Sequence, residues 1–218
     1  MSRTKLPYFF MLVVMTVFIV YVMYTNYIRD PQAVDFLSHK LNLKRPIQLP
    51  VWLSVMKVHL AFASLAMVSG AANFSSTVYR NHRTFHKFNG YAYLISVVIV
   101  IVSSGYMAPY ATGGKPVSIA FNLLNIVWLC LTAAAIVKIK KKQIHHHRKW
   151  MVRSYAFCFT NMFIHMLTAA FHEGMGLSYS TSYMAGVYGS IVLLFMLAEV
   201  VNRTIYRNPP VLNRIEKE

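Results

Sequence analysis

Apolar residues along this chain gather into six long runs, at roughly 7–28, 51–79, 90–110, 117–139, 150–172 and 183–206. Each matches the ~20 helical residues that the hydrocarbon layer of a bilayer requires. The breaks between them carry turn chemistry: Asp30-Pro31, Arg45-Pro46 and Pro50, then Asn89-Gly90, the run Thr112-Gly113-Gly114-Lys115-Pro116, and Gly174 with Gly176. Pro209-Pro210 is expected to stop the last helix. The pattern predicts an all-α fold, an integral membrane six-helix bundle forming one domain over residues 1–218. No internal repeat is visible, and the longest loop, 29–50, is too short to fold alone.

Composition agrees with that reading. A hydrophobic content of 56% with only six acidic residues in 218 lies outside the range of soluble globular domains. The net charge of +16 raises nucleic acid as a partner, but the cations sit between apolar runs and not across one folded face, which argues against it. Retention of cations on the cytoplasmic side explains them instead. One side carries Arg3, Lys5, Arg80, Arg83, Lys87, Lys138, Lys140, Lys141, Lys142, Arg148, Lys149, Arg203, Arg207, Arg214 and Lys217. The other carries Arg29, Lys40, Lys44, Arg45 and Lys115, with Lys57 just inside the second run. Both termini are therefore expected in the cytoplasm. Tyr8, Tyr79, Tyr91, Trp150 and Tyr206 fall at the inner boundary and Tyr24, Tyr27, Trp52, Tyr106, Tyr110, Tyr179 and Tyr183 at the outer one, as aromatic belts should. The first run is too long for a signal-peptide core and lacks a cleavage pattern after it, so it reads as an uncleaved span. Cys130 and Cys158, both inside apolar runs, exclude a disulfide framework. The basic loop from Lys140 to His147 would attract anionic lipid.

Ionisable groups inside a span are costly and face a partner or a cavity. Glu199 is the only acid within any run, and Arg153 lies one turn inside the same boundary on the fifth. Their depths predict an Arg153–Glu199 ion pair, with snorkelling of Arg153 to the interface as the plain alternative. His59 lies about 12 Å below the outer end of the second run. Its face continues through Ala63, Ala66, Gly70, Asn73 and Thr77, a groove that suits either close helix packing or a flat cofactor. His165 reaches a comparable depth on the fifth helix, which runs the opposite way. There Met151, Ser154, Cys158, Asn161, His165, Thr168 and His172 share one face, while Val152, Phe159, Phe163, Ile164, Met166 and Phe171 oppose it, as for lipid or an apolar neighbour. At the inner level His86 opens the third helix and His147 the fifth.

Two levels of paired histidines on antiparallel helices suit a b-type haem-binding electron-transfer protein, in which neutral imidazoles are axial ligands. Arg83, Lys87, Arg148 and Arg153 would supply cations near the propionates on the inner side. His147 and His165 are eighteen residues apart, about 27 Å along a helix, wide for two communicating haems, so one haem b, two or none all stay open. A second reading places zinc or copper on His59, His165 and His172, although no HExxH-like spacing is present and Glu173 is the only nearby acid. A third makes the chain a structural or assembly partner of another membrane complex, its polar faces serving helix packing. A transporter would call for repeats that are absent. A membrane redox or assembly partner is a candidate partner on these readings, the substrate and electron donor cannot be read from the residues, and enzymatic activity stays undecided.

The stretch His86-Lys87-Phe88-Asn89-Gly90-Tyr91-Ala92-Tyr93, preceded by the His59 and Gly70 pattern, is followed by His147-Arg148-Lys149-Trp150-Met151-Val152-Arg153-Ser154-Tyr155-Ala156. Together these resemble the predicted membrane proteins grouped as domain of unknown function 2306. The resemblance covers the second to fifth runs. It implies a multi-pass membrane protein, and a bacterial plasma membrane as its place, with no activity to carry over.

Overall fold

The computed structural model describes residues 5–38, 40 and 46–207. Among the described residues every regular element is helical. Arg3, Lys44, Arg45, Arg214 and Lys217 of the charge count, and Pro209-Pro210, lie outside them. Helix α1 (Lys5–Met23) continues as a π-helical turn, Tyr24–Arg29, and a short α2 (Val34–Ser38) follows. Then come α3 (Leu49–Phe74), α4 (Ser76–Asn81), α5 (Arg83–Met107), α6 (Lys115–Lys140), α7 (Ile144–Ala156), α8 (Thr160–Met175) and α9 (Tyr179–Thr204). Five segments, Leu6–Arg29, α3, Arg83–Tyr110, α6 and α9, are single helices long and apolar enough to cross a membrane. The chain is a helical membrane bundle.

The remaining run, 150–172, is not one helix. It is divided between α7 and α8 by a 3-10 turn at Phe157–Phe159. No proline or glycine explains the break; the Thr160 hydroxyl donates back to the Phe157 carbonyl at 2.6 Å, a bond that competes with the helical ladder and bends it. The face drawn for an unbroken helix changes accordingly. On the side expected to meet lipid or an apolar neighbour, Val152, Phe159 and Ile164 are buried against neighbours, while Met166 is exposed.

Three other boundaries differ from the sequence pattern. The second run stops at Phe74, because Ser75 turns extended and caps α4 by accepting from the Val78 amide. Asn89-Gly90 is not a loop but lies inside α5, which starts at Arg83 and so carries His86 within its first turns. Asn89 donates there to the Ser69 carbonyl at 2.7 Å and to Asn73 Oδ1 at 2.9 Å, pinning α5 to α3. Gly174 lies inside α8, and only Gly176 takes a left-handed conformation to end it. At the α5–α6 connection Gly113 and Gly114 both have positive φ, as that break predicted.

Cross-helix bonds set the direction of each element. Tyr8 at the start of α1 donates to the Ala71 carbonyl near the end of α3, while Tyr27 donates to the Lys57 carbonyl near its start. These helices are therefore antiparallel. Tyr206 is an electrostatic neighbour of Tyr8, so the start of α1 and the residues that follow α9 lie at the same end of the bundle, here termed the basic end. Helices α3 and α5, α6 and α7, and α8 and α9 pack as neighbouring pairs. The largest core cluster joins Met67, Tyr93, Trp128, Tyr155, Phe157 and Leu194. Smaller clusters at the far end surround Tyr183 and Trp52.

Candidate functional site

A cavity of about 390 Å³ lies in the far half of the bundle. His59 from α3 and His165 from α8 both line it. Around them stand the small side chains of Ala63 and Ser64, with Met67 and Cys158 deeper in and Arg29, Lys40 and Tyr183 toward the far end. Counting residues along antiparallel helices brings the two histidines to one level; α8 meets Gly186 of α9 through Ile164 and Thr168, and His165 is left exposed at the cavity.

The proton on His59 can be located by elimination. Ser103 has one hydroxyl hydrogen, directed at the Ile99 carbonyl (2.7 Å) with the Val100 carbonyl also in reach (3.0 Å). Its oxygen therefore accepts from His59 Nδ1, 2.9 Å away. Nδ1 carries the hydrogen, and Nε2 is left with a free lone pair, the form in which imidazole binds a metal. His165 makes no hydrogen bond among the described residues.

The small-residue groove beside His59 divides in two. Its upper part, Ala63 and Ser64, borders the cavity. Its lower part is filled by Tyr155: a Cβ placed on Gly70 would sit 2.4 Å from the Tyr155 ring. Tyr155 donates to the Met67 carbonyl at 2.9 Å and lies 5.3 Å from the Phe74 ring centroid. A flat cofactor could occupy only the upper part, so the slot read from Ala66 to Asn73 is a packing groove for a tyrosine.

The inner histidines also come together, since His147 and Arg148 are electrostatic neighbours of His86. His147 donates Nδ1–H to the Ala135 carbonyl at 2.8 Å. His86 meets the Tyr79 ring edge-on at 5.6 Å, and its Nδ1 is buried without a partner. The far-half cavity does not extend to this pair. Two of the cations assigned to propionates here are otherwise engaged. The Arg148 guanidinium lies 5.1 Å from the Tyr206 ring and 5.8 Å from the Tyr79 ring. Arg153 donates Nε–H to Glu199 Oε1 at 2.5 Å and covers the Trp150 ring at 4.6 Å.

His172 stands apart from both levels. It is exposed, donates Nδ1–H to the Leu177 carbonyl at 2.7 Å and meets the Tyr179 ring at 5.7 Å. Among the described residues no three His, Cys, Asp or Glu side chains gather as a metal ion would require. The three-histidine arrangement of His59, His165 and His172 is thus not assembled.

Lys40 is a site feature that hydropathy alone does not reveal. It lies 4.6 Å from the Phe36 ring and 5.3 Å from the Trp52 ring, and donates to the Tyr110 carbonyl. Burial pushes its ammonium down to about 8. Asp30, although beside the cavity, spends its carboxylate on the amides of Val34 and Asp35 and so starts α2. The connection from Arg29 to Lys40 thus roofs the cavity through Phe36, stacked on Trp52 at 5.9 Å and 16°. A further missed feature is the hydroxyl chain below: Tyr93, Ser154 and Thr132 lie 2.8 and 2.7 Å apart in turn, ending on the Trp128 carbonyl at 2.8 Å. Two serines or threonines at mid-depth on neighbouring helices were the only available signal for it.

A family model described as a predicted membrane protein, domain of unknown function 2306, matches residues 56–202, and the chain belongs to that family. No curated protein and no solved structure shows a significant match.

Proposed function

We propose that this family member binds one b-type haem in the far-half cavity, where His59 and His165 are the residues that would hold it, and serves electron transfer in the membrane. The observation that carries the reading is a shared void lined by two imidazoles from antiparallel helices, one of them held in the metal-binding tautomer by Ser103. The donor set fits haem in kind: two neutral nitrogens, small residues for the ring edge, and Lys40 and Arg29 as cations toward the far end. Haem supplies one-electron chemistry when bound. What the chain contributes is orientation through Ser103, exclusion of water by Trp52, Phe36 and Tyr183, and positive charge near the propionates.

One group is favoured over two. The inner pair borders no part of the cavity, and Arg148 and Arg153, expected to face propionates there, are committed to aromatic rings and Glu199. The inner residues of the family motif instead hold α7 to α6, α9 and α3. The test is a titration of detergent-solubilised protein with haemin. One equivalent should bind with a spectrum of bis-imidazole ligation, and His147→Ala should bind equally. Saturation at two equivalents, or no change in absorption beyond free haemin, contradicts the reading.

A further inference from the structure

A pocket of about 450 Å³ at the basic end is lined by Lys149, Arg153, Glu199, Asn202, Arg203 and Arg207. Its one acid is neutralised internally, since Arg153 and Glu199 form an ion pair. Lys149, Arg203 and Arg207 then remain with no carboxylate within ion-pair distance among the described residues. Asn202 is 2% exposed; its amide nitrogen donates to the Lys149 carbonyl at 3.2 Å, while its Oδ1 is buried without a partner. The pocket therefore offers three cations.

The outer surface of α9 continues from this pocket as an apolar track. Val192, Met196 and Val200 are spaced four apart and are 59%, 61% and 55% exposed. Glu199 and Arg203 follow on the same side of the helix, three residues on from Met196 and Val200, and Arg207 lies just past its end. A cationic cup with an exposed apolar stripe rising from it matches a molecule with an anionic head and a hydrocarbon tail. Basic pockets between membrane helices commonly hold anionic headgroups.

We infer that this pocket binds the phosphate of an anionic phospholipid, with Lys149, Arg203 and Arg207 facing the phosphate oxygens and an acyl chain lying along Val200, Met196 and Val192. The inference is independent of any haem.

Native mass spectrometry of the full chain in detergent tests it, with phosphatidylglycerol, phosphatidylcholine and inorganic phosphate as probes. The wild type should retain phosphatidylglycerol over phosphatidylcholine, and the double variant Arg203→Gln/Arg207→Gln should weaken retention about tenfold. The variant Lys138→Gln/Lys141→Gln, which leaves the pocket intact, should behave as wild type. Equal retention of both lipids, or equal loss in the two double variants, overturns the site. Displacement of the lipid by millimolar inorganic phosphate would make the ligand a free anion and overturn the lipid assignment. An unchanged melting temperature shows that each double variant is folded.

Discussion

Ser103 decides what His59 can do, because a serine whose hydrogen already serves the Ile99 carbonyl can only accept from the imidazole. The consequence is a bare Nε2 in a cavity, where an unconstrained histidine would sample both tautomers. Arg153 and Glu199 show the complementary case of a residue pair whose role is structural. Their side chains are 20% and 28% exposed, so the pair is screened only in part and Glu199→Gln should cost about 1 kcal/mol. That corresponds to a fall of roughly 2–4 °C in melting temperature for a protein of this size, measurable by scanning fluorimetry. Lys40 gives a pH dependence. Its docked ammonium titrates near 8 against an ordinary 10.5. Between those values the undocked loop keeps a proton that the docked loop has released, so docking strengthens as pH rises across that window. Protection of the Val34–Ser38 amides, corrected for intrinsic exchange, should therefore increase from pH 7.5 to 9.5. Lys40→Met should abolish the trend, and a trend that persists in that variant contradicts the assignment.

Among the elements, α3, α5 and α7 lock together by two devices. Asn89 ties α5 to α3 through Ser69 and Asn73, and Asn89→Ala should lower stability by about 1–2 kcal/mol, because hydrogen bonds between helices in lipid have no water to replace them. Tyr155 enters the Gly70 gap, so Gly70→Ala should destabilise by about 1–3 kcal/mol through overpacking. The double variant Gly70→Ala/Tyr155→Leu should recover part of that loss in a thermal melt, whereas no recovery would show that the clash lies elsewhere. Element existence was legible because membrane helices announce themselves by uninterrupted apolar length. Their interruptions were less so. The 3-10 turn at Phe157–Phe159 carries neither glycine nor proline, and the Asn89-Gly90 dipeptide looks like a turn although its amide and missing side chain serve helix packing.

Across the whole molecule, two levels of chemistry are separated by an aromatic core. Tyr93, Tyr155, Phe157 and Trp128 fill the middle, with His59 and His165 on the far side and His86 and His147 on the basic side. Matching depths for His59 and His165 could be counted from the sequence, since the helical rise is independent of what the helices pack against. That the space beside His59 is open above Ala66 and filled below it could not. The answer depends on Tyr155, eighty-odd residues away, choosing the Gly70 gap. The three-ligand alternative fails for the same kind of reason: His172 has the right face on an ideal helix, but the Gly176 cap brings the Leu177 carbonyl to its ring. Lys40 was counted only as an outer charge, because nothing in its neighbours announces the ring pair of Phe36 and Trp52.

The oxidised and reduced absorption spectra of the protein, purified from cells supplied with haem, test the central claim most directly, with His59→Ala and His165→Ala measured beside the wild type. The account predicts one haem per chain with a sharp reduced α-band in the wild type, and loss of that low-spin signature in each variant while the helical circular dichroism is unchanged. A wild type that carries no haem, or variants that keep the same spectrum, would contradict it.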